Sequence, residues 1–223
     1  DRGSATALAA AAVLLAEQPG TAEGTGSAID RQRAAAADLQ HAIELEPLSG
    51  FVWEQHARLH EAVGDLERAR ADYSSSLQLN PASVDALAAY ARLLAFGGHL
   101  AEAEASALDA IEASPNPPAW YQCVPALLAL RDSDFAGAAA HAELYVAADA
   151  ELGPILAIMA GQGSGDSAVV SRYLPQVLDV TAFRAQGILP RLRERISDGL
   201  LINAIRTALV RAGVPPSALI RAF

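Results

Sequence analysis

The sequence predicts an all-α stack of two-helix hairpins, an α-solenoid, closed by a helical C-terminal cap. Three observations carry this. First, residue types recur at a fixed interval of 34 positions: Pro47, Pro81 and Pro115; Trp53, Leu87 and Tyr121; His56, Tyr90 and Val124; Leu59, Leu93 and Leu127; Ala35, Ala69 and Ala103. A period of this size marks small supersecondary units that bury a continuous core only by stacking. Second, Gly and Pro punctuate each period where two helices must end. Third, the 223-residue chain is 52% hydrophobic and only 5% aromatic, with alanine heavily used, which suits short helices in close contact. No run alternates as a half-buried strand would.

The elements follow in order. Residues 4–17 read as a helix, 18–28 as a Gly/Thr-rich loop, and 30–46 as a helix paired with the first. Leu8–Ala16 has the length of an export-signal core, but only Arg2 supplies a basic start, so it reads as a packing helix. The chain begins at Asp1 without a Met and is expected to be part of a longer polypeptide. In the unit 50–83 a first helix runs over 51–63, Gly64–Asp65 breaks it, a second spans 66–79, and Asn80–Pro81 ends it. Trp53, His56, Ala57 and His60 fall on one stripe of the first helix. Ala69, Tyr73 and Ser76 form the facing stripe, with Ala57 and Ala69 small enough for close approach. Leu87, Tyr90, Ala91, Leu94, Ala103, Ala107 and Ala110 repeat the scheme.

The run Trp53-x2-His56-Ala57-x2-His60, then Ala69-x3-Tyr73, then Pro81, resembles the tetratricopeptide repeat, whose pattern is W-x2-L-G-x2-Y…A-x3-F…P. It departs from that pattern at His56 and His60. The resemblance covers roughly 30–150. The array is expected over 1–150, with a degenerate unit at about 16–49 and units at 50–83, 84–117 and 118–150. The last of these needs a one-residue insertion before Asp134–Phe135. The stretch 151–223 is expected to hold a degenerate hairpin (151–161 and 166–179) and the cap. A helix from Ser197–Asp198 to about Ala212 carries Leu201, Ile205 and Leu209 on one face, with Leu200, Ala204 and Ala208 beside them. The tail from about 187 also resembles the C-terminal repeat region of bacterial nucleotide cyclase-type or winged-helix regulator proteins.

Charge and composition narrow the function. A net charge of −10 argues against nucleic-acid binding through a basic face. One cysteine, Cys123, rules out an internal disulfide and a multi-cysteine metal site. No transmembrane stretch is visible. His56 and His60 stand at i, i+4, the spacing of a metal pair, but a metal needs a third ligand from elsewhere, so they read as packing histidines and no metal or cofactor is expected. Glu44/Glu46 and Glu102/Glu104 read as solvated faces. Ser74–Ser76 lacks a base, and Gly161–Gly165 lacks the lysine and strand of a phosphate loop. No catalytic constellation is found.

The resulting expectation is a non-catalytic interaction scaffold, the regulatory part of a larger bacterial signalling or transcription-regulating protein, in the cytoplasm or, with an upstream export signal or anchor, the periplasm. Its partner is a protein, a peptide or an upstream output domain. The partner-binding concave face is expected at Glu54, Arg58, Glu61, Arg92, Phe96 and Gln122, with Arg58 and Arg92 one repeat apart and able to take a peptide carboxylate. The lysine/asparagine clamp of chaperone-binding relatives is missing for want of lysine. The alternative is a sensor that encloses a small anion with Arg184, Arg191 or Arg193. A third reading is self-association through the apolar face of 200–212.

Overall fold

The structure is a computed structural model that describes residues 5–17 and 28–220. The loop expected at 18–28 lies, but for its last residue, outside the described residues. Those residues form α-helices joined by turns, with no strand among them. The chain divides into two compact units, Asp1–Tyr90 and Ala91–Phe223, with the boundary inside one helix.

The first unit holds α1 (Ala5–Glu17), α2 (Ala28–Leu45), α3 (Gly50–Ala62), α4 (Leu66–Leu79) and the start of α5 (Val84–Phe96). Ala5, Ala9, Ala12, Val13, Ala35, Leu39, Ala42, Val52 and Leu59 form one core where α1 and α2 pack on each other and on α3. The alanines let these backbones come close, which a run of leucines would not. The α3–α4 hairpin closes over fully buried Ala57, Ala69 and Tyr73. Ser76 Oγ donates to the Gly50 carbonyl at 2.8 Å across this contact. Trp53 Nε1 donates to the Pro47 carbonyl at 2.9 Å, so the recurring proline and aromatic meet at the entry to the unit. Ala69→Leu is expected to cost about 1–3 kcal/mol by overpacking this seam, read as a shift in denaturant midpoint.

The second unit continues with α6 (Leu100–Glu112), a 3₁₀ turn (Ala119–Gln122), α7 (Cys123–Arg131), α8 (Phe135–Tyr145), α9 (Leu152–Ser164) and α10 (Ser167–Asp179). Two one-and-a-half-turn helices follow, α11 (Thr181–Gln186) and α12 (Ile188–Arg193), then α13 (Gly199–Arg211) and α14 (Pro216–Leu219). The expected boundary at 150 falls inside this unit, where α8 packs on α9. α9 is its hub. Leu152 through Ile158, Ala160 and Gly161 are all buried, because α7, α8, α10 and α13 cover the helix on every side. A helix apolar all round is a core helix.

The helix ends follow from local chemistry. Asp65, Asp134, Asp166 and Asp198 each accept backbone N–H groups at the start of α4, α8, α10 and α13, satisfying donors that a helix leaves open. The hairpin turns of the two clear repeats use Gly64 and Gly98 at φ of 82° and 87°. The third turn is displaced by one residue and uses Ser133 at φ 61°, where the expected insertion falls.

The tail returns to the end of α5. The Phe96 carbonyl, at the end of α5, accepts from Ser197 N at 3.0 Å and Asp198 N at 2.9 Å. α13 then lies on α9, burying Ile202, Ile205 and Leu209, and Gln162 Nε2 donates to the Ala208 carbonyl at 2.8 Å. The Ile205/Leu209 face considered for self-association is thus occupied within the unit, while Leu200 and Val210 remain exposed.

Candidate functional site

Two groups of polar side chains stand out in the first unit, both on the α3–α4 hairpin. One is the expected partner-binding stripe. Glu54 is buried, 4% exposed, beneath Arg58, whose Nε and Nη2 donate to its Oε1 at 3.1 and 2.9 Å. Ser83 Oγ donates to Oε2 at 3.3 Å. Burial pushes the Glu54 carboxyl above its usual range against the opposing pull of Arg58. Arg58 keeps a third of its side chain in solvent. Glu61 accepts the Tyr73 hydroxyl at 3.1 Å.

The other expected stripe residues lie in the second unit. The Arg92 guanidinium stacks over the Trp120 ring, 5.6 Å from its centroid. Phe96 is buried at the end of α5, and its backbone carbonyl holds the tail. Gln122 is buried in the 3₁₀ turn, where its Oε1 accepts from His141 Nδ1 at 2.8 Å. Burial lowers the His141 pKa, which favours the neutral ring, against the opposing pull of Asp134. Glu54, Phe96 and Gln122 are therefore buried, whereas Arg58, Glu61 and Arg92 are half-buried. Polarity suggested exposure for Glu54 and Gln122; the structure instead gives each a hydrogen-bonding partner inside.

The second group is His56, His60 and Asp72. Two imidazoles one turn apart on α3 converge on one carboxylate oxygen from α4. His56 Nδ1 lies 2.9 Å and His60 Nδ1 2.7 Å from Asp72 Oδ2. The rings are 4.4 Å apart, and Trp53 meets His56 edge-on. All three side chains are largely buried. An ionised carboxylate only accepts, so each ring presents its N–H at Nδ1. The i, i+4 histidine pair was legible in the sequence; Asp72, supplied by the other helix, was not.

Two of the three arginines of the sensor alternative are engaged by the chain's own acceptors. Arg184 pairs with Asp179 and the Leu178 carbonyl. Arg191 pairs with Glu151 and Glu194, and Arg193 is exposed. Arg195, not singled out in the sequence, grips Asp149 with both terminal nitrogens at 2.5 and 3.2 Å. Asp149 also accepts from the Tyr145 hydroxyl at 2.7 Å and from the Glu151 and Leu152 amides at 2.9 and 2.8 Å. Burial pushes the neighbouring Cys123 thiol up to about 11, an inert thiol rather than a nucleophile. A cleft beside Phe183 and Ile188 measures about 230 Å³ and one beside Gln162 and Arg211 about 290 Å³. Sites for small molecules usually measure about 300–1,000 Å³.

Comparison with known proteins bears on the fold. Residues 61–129 match the tetratricopeptide repeat family. The fold is similar to the crystal structure of PilW, a widely conserved type IV pilus biogenesis factor, at a TM-score of 0.64 and 14% identity, over 98% of each chain. The tetratricopeptide domain of P58(IPK) aligns at a TM-score of 0.38 and 18% identity, over 86% of this chain and 58% of that one. No curated protein matches the chain. No helix among the described residues is long and apolar enough to cross a membrane. Over residues 61–129 the chain is similar to the tetratricopeptide repeat family, and the hairpins that frame this stretch are all-α as well.

Proposed function

We propose that the chain is a non-catalytic scaffold that binds a protein segment on the α3 face, as the regulatory part of a larger bacterial signalling or transcription-regulating polypeptide in the cytoplasm. The observation that carries the binding reading is the Glu54–Arg58 pair. A buried carboxylate holds two donors of the guanidinium, so Arg58 is fixed in direction before any partner arrives while Nη1 stays available. Preorganisation of this kind lowers the entropy cost of capturing a carboxylate. Arg92, stiffened by Trp120, is proposed as the corresponding cation of the next repeat. The resemblance of the tail to regulator proteins supports the larger context.

The test is a displayed-peptide selection on the immobilised chain, followed by affinity measurements on Glu54→Gln/Arg58→Gln. Replacing both partners by amides of similar size avoids leaving a buried charge alone. The expected result is at least a tenfold loss of affinity, about 1.4 kcal/mol, with an unchanged helical signal. Selected peptides that bind the double variant equally well would place the contact elsewhere.

A further inference from the structure

We propose that His56, His60 and Asp72 form a binding site for a borderline divalent transition-metal ion of the zinc class. Each ligand type is appropriate: imidazole nitrogens and a carboxylate oxygen suit such ions. The donor atoms are also brought together, all within 4.8 Å of one another. Two come from successive turns of α3 and the third from α4, so the two helices of one hairpin hold the set. Ideal metal–ligand distances of about 2.0–2.2 Å need donors roughly 3.3 Å apart in a tetrahedron. The two N···O separations of 2.9 and 2.7 Å are tighter, so the carboxylate must open outward by about half an ångström, a small side-chain rotation.

Binding transfers each ring's hydrogen from Nδ1 to Nε2 through solvent and frees both Nδ1 lone pairs for the ion. Three protein ligands then leave a fourth position for water. Repeat packing does not demand these residues. The positions one period later are Tyr90, Leu94 and Ser106, so all three donor types change together in the unit that follows. Simple hydrogen-bonded packing explains why the trio is stable without a metal, but the neighbouring unit packs without any of the three.

The ion would clamp α3 to α4 and stabilise the folded chain by mass action. The test is calorimetric and spectroscopic titration of the chelator-treated chain with zinc and with cobalt. One equivalent is expected to bind, cobalt to give the visible absorption of a low-coordinate site, and the melting temperature to rise by several degrees. His56→Tyr/His60→Leu installs the residues of the next repeat; Asp72→Asn keeps an acceptor and removes the charge. Each is expected to weaken binding at least tenfold while the variant remains helical. No binding to the native chain would overturn the assignment. So would equal binding by the variants, which would point to exposed pairs such as His41–Glu44 or His99–Glu102.

Discussion

Asp149→Ala is expected to destabilise the chain by about 3 kcal/mol. This carboxylate joins three elements: the Tyr145 hydroxyl at the end of α8, the amides at the start of α9, and Arg195 from the tail. Its side chain is only 10% exposed. Removing it leaves a buried hydroxyl, two amides and a guanidinium short of an acceptor at once, and unmet groups cost more than formed bonds contribute. The figure stays at the low end for a buried pair because Arg195 keeps a third of its side chain in water. The pH dependence has a definite sign. Burial works to raise the Asp149 carboxyl, but Arg195, the Leu152 amide and the Tyr145 hydroxyl together outweigh it and hold it below its usual range. A depressed folded value means the stabilisation is present above the unfolded value of about 3.9 and fades as pH falls through the folded one. Urea midpoints measured from pH 6 down to pH 3 should therefore fall more steeply for the native chain than for Asp149→Asn. Parallel curves would remove Asp149 from the acid response.

Gly153→Ala is expected to cost about 3 kcal/mol although it adds one methyl to a helix, where alanine is normally favoured. A Cβ at this position would stand 2.7 Å from Val146 Cα and 2.9 Å from Val146 N. The obstacle is backbone, so no rotamer change relieves it. The α8–α9 junction must part, and α9 is the helix around which the second unit packs. Gly199→Ala is the control: a Cβ there meets nothing within 4 Å, and the helix of α13 should gain about 0.5 kcal/mol. Denaturant unfolding of the two variants should move in opposite directions. A neutral Gly153→Ala would mean that α8 and α9 have room to shift.

Much of this architecture is visible in the residues, and the exceptions have physical causes. The span 66–79 is helical as its cap and punctuation require, because Asp65, Asn80 and Pro81 act locally. The displaced turn at Ser133 is legible too, since an inserted residue breaks a strict period. What periodicity does not report is which side chains meet across helices. Asp72 looks like any polar residue on a second helix until α4 is laid against α3. Glu54 and Gln122 look solvent-directed because polarity is a proxy for exposure, and the proxy fails wherever a neighbour such as Arg58 or His141 satisfies the group inside. α11 and α12 escaped notice because six-residue helices are too short to show a period. The docking of the tail on Phe96 is a backbone contact, and no side-chain pattern announces one.

That docking alters how the second unit can come apart. A purely linear array loses its last element first and unzips inward, each step governed by one neighbouring interface. Here residues 101 positions apart are fastened together, so the intervening helices, α6 to α12, form a closed loop. Unzipping that passes Ser197 must release the carbonyl of Phe96. Opening between the two anchors is therefore coupled to their release, and a nascent chain cannot complete that loop until Ser197 and Asp198 have been synthesised.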